Sequence, residues 1–572
     1  MGLLSFFKRD ISVDSVGDLT KEALQYHNAE QFCEAESLWL KIIKIKSDSA
    51  EIFKNYGNTL IALKQLDNAE IAYRKALELK PDYADALSNL GQILGMSGRF
   101  EEAEQALQKA STLLPDSAPI HSNLGIVLMT LGRLAESAHE FRKAILLDPN
   151  FFLGYLNLGR VLSETGSTAC AEQALGTAIQ LNPGSTEAYI CLGILCDKSG
   201  RPTEAEQNFR KVIEINPEHF ESYFLLGNLF YDRLLYAEAE TNYLKSLEIQ
   251  PDYSRAQFGL ALLYMLQGNY SAGLKLYEFR FNHLSDLLNA NNALQIVRNN
   301  VVGFDMWRGG SLEGATLTLI TEQGSGDTIM MMRYLPLLKS KGLKKLNVYT
   351  TPELKRLIKA IPQVDEVRAE GTFFSPGLYC SMMSLPFCFG TRIHSIPDDV
   401  PYIVPPDDLR QKWRSCLSNG TGKKVGLVWA GGKYSGADHL RSIPLVQFEP
   451  LLNVKGAQLI SLQKGAETRQ LESLGWDIAN EMDDCEDFLD TAALVSELDL
   501  IISVDTAVAH IAGALGKPVW LLNRYGSEWR WLIDREDSLW YPTMRIFRQQ
   551  ERGDWETVIQ LISQDLARFV NE

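Results

Sequence analysis

Proline recurs at positions 81, 115, 149, 183, 217 and 251, each 34 residues beyond the last. Glycines 57, 91, 125, 159, 193 and 227 keep the same step, as do Ala35, Ala69, Ala103, Ala171, Ala205 and Ala239, with Ser137 in the remaining slot. A fixed period of about 20–50 residues means that one supersecondary unit is stacked many times, because a unit that small cannot bury its apolar face alone. The spacing predicts that each proline opens a helix, where its missing N–H costs nothing. The glycines and alanines let paired helices approach closely. Turns such as Ser97-Gly98-Arg99 and Leu131-Gly132-Arg133 join the two helices of a unit. Counting back from Pro81 places a first, proline-free unit at about 13–46, and the last unit runs to about 284.

A helix–turn–helix of this length is the tetratricopeptide signature, so 13–284 reads as an α-solenoid superhelix of eight pairs. Such a solenoid offers a concave surface to a peptide or protein. Asn55, Asn89, Asn123 and Asn157 stand two residues before the glycine of four consecutive first helices, and the column lapses at Cys191 and Leu225. Asn is a mediocre helix-interior residue. Either it is simply common here and faces solvent, or its amides offer donor and acceptor to an extended chain. The column is similar to the asparagine ladder of the nucleocytoplasmic O-linked N-acetylglucosamine transferase. That resemblance implies a grip on an acceptor's backbone.

At 572 residues the chain exceeds one core and should hold two or three domains. A net charge of −16 argues against nucleic acid as partner. The eight cysteines stand singly, with no C-x-x-C pair, which suits a reducing cytosol. The start MGLLSFFKRD reverses the order of a secretory signal, and Phe6 stands where myristoylation wants Ser or Thr. No stretch reaches the roughly 18–20 apolar residues of a membrane span. The expectation is a cytoplasmic protein.

Beyond Tyr277-Glu278-Phe279-Arg280 the period stops, and 285–312 reads as a linker. From about 313, short aliphatic runs alternate with helical segments: Ala315–Thr321, Leu346–Tyr349, Lys424–Trp429, Gln458–Gln463, Leu498–Val504 and Pro518–Leu522 as strands. This alternation builds doubly wound parallel sheets. The proline-rich 397–406 separates two Rossmann-like halves, 313–405 and 406–572. In such sheets ligands sit beyond the carboxyl ends of the strands.

Three loops qualify. Glu322-Gln323-Gly324-Ser325-Gly326-Asp327 follows the first strand, and Asp327 is either a helix cap or a general base for a hydroxyl proton. Trp429-Ala430-Gly431-Gly432-Lys433, with Arg441 downstream and Gln463 at the next strand's end, suits a diphosphate. Asp505-Thr506, with His510 one turn into a small-residue helix, offers hydroxyl and N–H groups to a phosphate, or else a cap and a core histidine. Trp529, Trp531 and Trp540 read as core aromatics packing a C-terminal helix near 555–570, with a sugar platform as the alternative.

Together with Arg441–Pro444 (RSIP), Gly516–Trp520 and Trp529-Arg530-Trp531, these loops resemble the bacterial heptosyltransferases, and more closely their relatives fused to tetratricopeptide repeats. The resemblance covers nearly all of 300–570. It implies a GT-B fold, inversion at the anomeric carbon, and no metal or cofactor. Asp327 matches the family's base. Asp505, Thr506 and His510 match its donor-binding set, joined by Gly324, Gly326, Gly431, Gly432, Lys433, Arg441 and Gln463. Arg441 stands where Lys is frequent, and Ala507 replaces a frequent Gly. The fused repeats imply a protein acceptor, its Ser or Thr glycosylated from a nucleotide-sugar, with flagellin as one such acceptor. A glycan-chain transferase and a non-catalytic scaffold are the rival readings. The donor stays open among CMP-, ADP- and UDP-sugars.

Overall fold

The structure is a computed structural model that describes residues 16–281, 305–369, 374, 377–418, 422–432, 438–476 and 478–572. Most of the expected linker 285–312, and Lys433, lie outside these residues. The chain divides into two compact units between Ser222 and Tyr223.

Sixteen helices run in pairs from Val16–Asn28 to Tyr270–Tyr277. The recurrent prolines do not open them. The helix Leu66–Leu79 ends, Pro81 sits in the following turn, and the next helix starts at Ala84. The other five prolines repeat this placement. A residue without an N–H and with a ring clashing into the preceding turn cannot continue a helix, so it stops one. Pro119 and Pro202, which are off the period, do occupy first turns.

Each pair turns on a left-handed residue just after its first helix. Gly98, Gly132, Gly166, Gly200 and Gly268 fill that place with φ of 72–80°, and Glu30, Lys64 and Leu234 fill it with φ of 60°. The recurrent glycines serve a different need, which is space. A Cβ on Gly57 would lie 2.7 Å from the Tyr73 ring, and one on Gly193 2.5 Å from the Phe209 ring. The alanines opposite are fully buried, and Ser137 satisfies its hydroxyl by donating to the Gly125 carbonyl at 2.7 Å.

The second unit carries two parallel sheets. Among the described residues the first has order β1-β5-β2-β3-β4, from β1 (Asp305–Met306), β2 (Thr316–Ile320), β3 (Lys345–Tyr349), β4 (Glu366–Arg368) and β5 (Leu378–Ser381). The second has order β11-β10-β9-β6-β7-β8. It comprises β6 (Lys423–Val428), β7 (Ala457–Ser461), β8 (Ala479–Asn480), β9 (Leu500–Val504), β10 (Val519–Asn523) and β11 (Met544–Arg548). Every residue of β9 is buried, as expected of a parallel strand covered on both faces. The short β1, β4, β5 and β8, and the five-residue β11, were not among the strands expected from sequence. The fold is therefore a tetratricopeptide solenoid followed by α/β halves with parallel sheets.

The tryptophans pack elsewhere than expected. Trp520 and Phe547 meet the C-terminal helix Trp555–Phe569. Trp529 and Trp540 instead close on Tyr270 of the last repeat helix, at 6.1 Å between ring centres in each case, and the Trp540 indole N–H donates to the Tyr270 hydroxyl at 3.1 Å. Amphipathic aromatics need an apolar bed with one polar partner, and the last repeat supplies both. No helix among the described residues is long and apolar enough to cross a membrane.

Candidate functional site

The helix Ser325–Met331 starts three residues earlier than the expected Thr328, directly after the β2 exit loop. Asp327 is its third residue, and Oδ2 accepts the Gly324 N–H at 2.9 Å. The capping use of this carboxylate is thus real, and it occupies one oxygen. The other oxygen faces the Arg530 guanidinium in an ion pair.

Gly326 brings this loop against the second half. A Cβ there would lie 2.6 Å from His510 Cδ2 and 3.5 Å from the Ala507 Cα, so only a residue without a side chain fits. The helix Ala507–Ala514 begins at that contact, with Thr506 at its N-cap and the Thr506 hydroxyl 3.0 Å from that of Ser503. His510 is buried, its Nδ1 2.8 Å from the Tyr541 hydroxyl and its Nε2 3.7 Å from Asp505 Oδ1. Asp505 Oδ2 accepts the Trp531 indole N–H at 3.0 Å. Burial pushes the Asp505 carboxyl up. The close approach of His510, with the Arg530 charge and the Trp531 N–H, outweighs it and holds the group well below the ordinary carboxylate range.

Arg441 reaches the same place from the other loop, donating from Nη1 to the Asp505 carbonyl at 3.0 Å and from Nε to Asp438 Oδ1 at 3.1 Å. Gly431 lies under that guanidinium, where a Cβ would come within 2.5 Å of Arg441 Nε, and its N–H donates to Ser442 Oγ at 3.2 Å. Gly432 is exposed beside it. Gln463 is committed to backbone. Its Oε1 accepts from Trp429 and Ala430 N–H at 3.2 and 2.9 Å, and its Nε2 donates to the Ala430 carbonyl at 3.1 Å and the Lys464 carbonyl at 3.4 Å. It shapes the loop, with no amide hydrogen bond left over for direct recognition of a ligand.

Sequence reasoning assigned no role to Arg530, Glu528 or Tyr541. Arg530 is 10% exposed and joins Asp327 to Glu528, whose Oε2 lies 2.5 Å from Nη1. Its guanidinium loses water, but the Asp327, Glu528 and Asp505 carboxylates more than compensate and raise its pKa. An arginine between two tryptophans was the available signal.

The asparagine column falls on four first helices. Asn55 and Asn157 are buried. Asn89 Nδ2 donates to Asn58 Oδ1 at 2.8 Å and Asn123 Nδ2 to Ser88 Oγ at 3.4 Å, so two of the amides tie successive repeats together.

Tetratricopeptide-repeat models match residues 48–116, 118–151, 186–219 and 224–278. The model of glycosyltransferase family 9 (heptosyltransferase) matches residues 482–532. The chain carries tetratricopeptide repeats and a glycosyltransferase family 9 domain. The family 9 match takes in Asp505, Thr506, His510, Glu528 and Arg530, while Asp327 and Arg441 lie outside it. Protein FlbA of Caulobacter vibrioides is 27% identical over 341 residues, covering 54% of each chain, so the alignment spans about half the length of that curated relative. Among solved structures, YrrB, a TPR protein with an unusual peptide-binding site, is 23% identical and covers 32% of this chain and 95% of its own, with a TM-score of 0.28. MamA is 26% identical over 28% of this chain and 94% of its own, with a TM-score of 0.26.

Proposed function

We propose that this chain is an inverting, metal-independent glycosyltransferase that moves a sugar from a nucleotide-sugar to a Ser or Thr hydroxyl of a flagellin-like protein held by the repeats. The observation that carries the reading is the contact of Gly326 with His510. It sets the Asp327 carboxylate of one half against the Asp505–His510 corner of the other, beyond the carboxyl ends of β2 and β9. One carboxylate oxygen of Asp327 takes the acceptor hydroxyl proton as the oxygen attacks the anomeric carbon from the face opposite the leaving group. The nucleotide leaves with the bonding electron pair on its terminal phosphate, toward the N–H groups that open the helix Ala507–Ala514 and toward Arg441, fixed donors that stabilise charge without reorganising.

The test is transfer of a radiolabelled sugar by the full chain to purified flagellin from each of CMP-, ADP- and UDP-donors, with EDTA present. One donor should work, and Asp327→Asn should lower kcat by about 10²–10⁴-fold while nucleotide binding persists. Full activity in Asp327→Asn, or no transfer and no nucleotide binding, overturns the reading.

A further inference from the structure

Asp327 is four residues past a loop that the last repeat holds by its side chains. Arg280 follows the helix Tyr270–Tyr277 and is 1% exposed. Its guanidinium donates to Glu322 Oε1 from Nε at 3.2 Å and from Nη2 at 2.5 Å, to Glu278 Oε1 at 2.8 Å, to Ser384 Oγ at 2.8 Å and to the Tyr277 carbonyl at 3.1 Å. The flanking rings of Tyr277 and Phe281 lie 4.5 and 4.2 Å from its centre. Glu322 is itself buried at the exit of β2, and Ser381, the last residue of the adjacent β5, donates to it.

The next residue, Gln323, is held as well. It adopts a left-handed φ of 61°, and its amide donates to the Tyr277 hydroxyl. A left-handed conformation is unfavourable for a residue with a Cβ and persists where surrounding contacts fix it. Gly324, whose N–H holds Asp327, comes directly after. The chain of contacts therefore runs Arg280 and Tyr277, Glu322 and Gln323, Gly324, Asp327. Nothing in the family 9 match at 482–532 supplies it, since both ends lie outside that segment.

Resting on the reading of Asp327 as the base, we propose that Arg280 and Tyr277 of the last repeat are positioning residues for that carboxylate. The repeats then form part of the transferase site as well as an acceptor surface. Neither side chain touches the reacting atoms. They fix the β2 exit turn, and a carboxylate displaced by about an ångström loses on the order of 10²-fold in rate.

The experiment uses the full chain with Tyr277→Phe, Arg280→Lys, Arg280→Gln and Asp327→Asn, measuring nucleotide Kd, acceptor KM, kcat, and amide hydrogen exchange over 323–327. Tyr277→Phe removes one hydroxyl without disturbing the fold. It should speed exchange at Gly324 and lower kcat about 3–10-fold, the loss of one hydrogen bond. Arg280→Gln should lower kcat about 10–100-fold with nucleotide Kd and acceptor KM little changed, and Arg280→Lys should recover part of that. If Arg280→Gln does not fold, Tyr277→Phe alone decides. Wild-type kcat and exchange in Tyr277→Phe and Arg280→Lys, alongside an inactive Asp327→Asn, overturn the positioning role and leave the base intact. An active Asp327→Asn overturns both.

Discussion

Gly193 and Gly326 meet the same physical demand in different regions. Each lacks the Cβ that would lie 2.5–2.6 Å from a neighbouring ring, Phe209 for the first and His510 for the second. In the repeats the device recurs against rings at Gly57, Gly125 and Gly227 and against leucine side chains at Gly91 and Gly159, so each copy carries a share of a distributed stability. In the sheet region it seats one helix on another where Asp327, Asp505 and His510 meet. Charge follows the same division. Arg133 pairs with Glu104 and Glu136 at 2.6 Å each while remaining 39% exposed. Arg530 is 10% exposed and serves Asp327 and Glu528. Arg133 thus holds its carboxylates where water screens them, and Arg530 holds its own where water is largely excluded.

The sharpest way to break that comparison is to remove one cation from each region. Arg530→Gln leaves the partly buried Asp327 carboxylate and the more exposed Glu528 without their cation and should cost about 2–3 kcal/mol in urea unfolding of the full chain. Arg133→Gln removes solvated pairs and should leave the unfolding curve where it was. Equal losses would end the distinction. Next in size is the glycine pair. Gly326→Ala should displace His510 and lower kcat/KM about 10–100-fold with little change in Tm. Gly193→Ala should leave kcat/KM alone and cost about 1–2 kcal/mol, because overlap with Phe209 outweighs the gain in helix propensity.

The same division governs what could be read from sequence. A 34-residue period made eight pairs visible because every feature occurred many times. The exits of β2, β6 and β9 were visible because a buried aliphatic run followed by Gly or Asp and a helix is a local pattern. Arg530 belongs to no such pattern. It lies in an irregular stretch after β10, and its role depends on where Trp529 and Trp540 settle on Tyr270, more than 250 residues earlier in the chain. Gln463 illustrates the converse: its place at a strand end was legible, but its full engagement by the Trp429–Ala430 backbone was not. The prolines were found and misassigned by a few residues, since a helix stop and a helix start are nearly adjacent in a tight repeat.

Acid sharpens the comparison further. The Asp505 carboxyl is held below its ordinary value in the fold, so it contributes stability above its unfolded pKa of about 3.9. That contribution is lost as pH falls from there toward the folded value. Urea unfolding of wild type and Asp505→Asn should therefore differ most at neutral pH and converge as the pH is lowered below about 4. A difference that holds constant from pH 7 to pH 3 would mean that the His510 and Trp531 contacts do not favour the charged form.

The smallest effect tests the repeats' redundancy from the stabilising side. Lys64 occupies the left-handed place that Gly98, Gly132, Gly166, Gly200 and Gly268 fill elsewhere, and its side chain is exposed. A Cβ in that conformation costs roughly 1–2 kcal/mol, and a glycine returns part of the gain through a freer unfolded chain. Lys64→Gly should therefore stabilise the repeats by about 0.5–1 kcal/mol, read as a shift of the urea midpoint at unchanged slope. Transferase activity should not move, because the substitution alters one turn within the repeats. Leu234 fills the same place in the second compact unit, but it is partly buried and close to Gly526, so Leu234→Gly should show a smaller gain or a loss. A gain at Lys64 without one at Leu234 separates a position set by backbone alone from one that packing has also recruited.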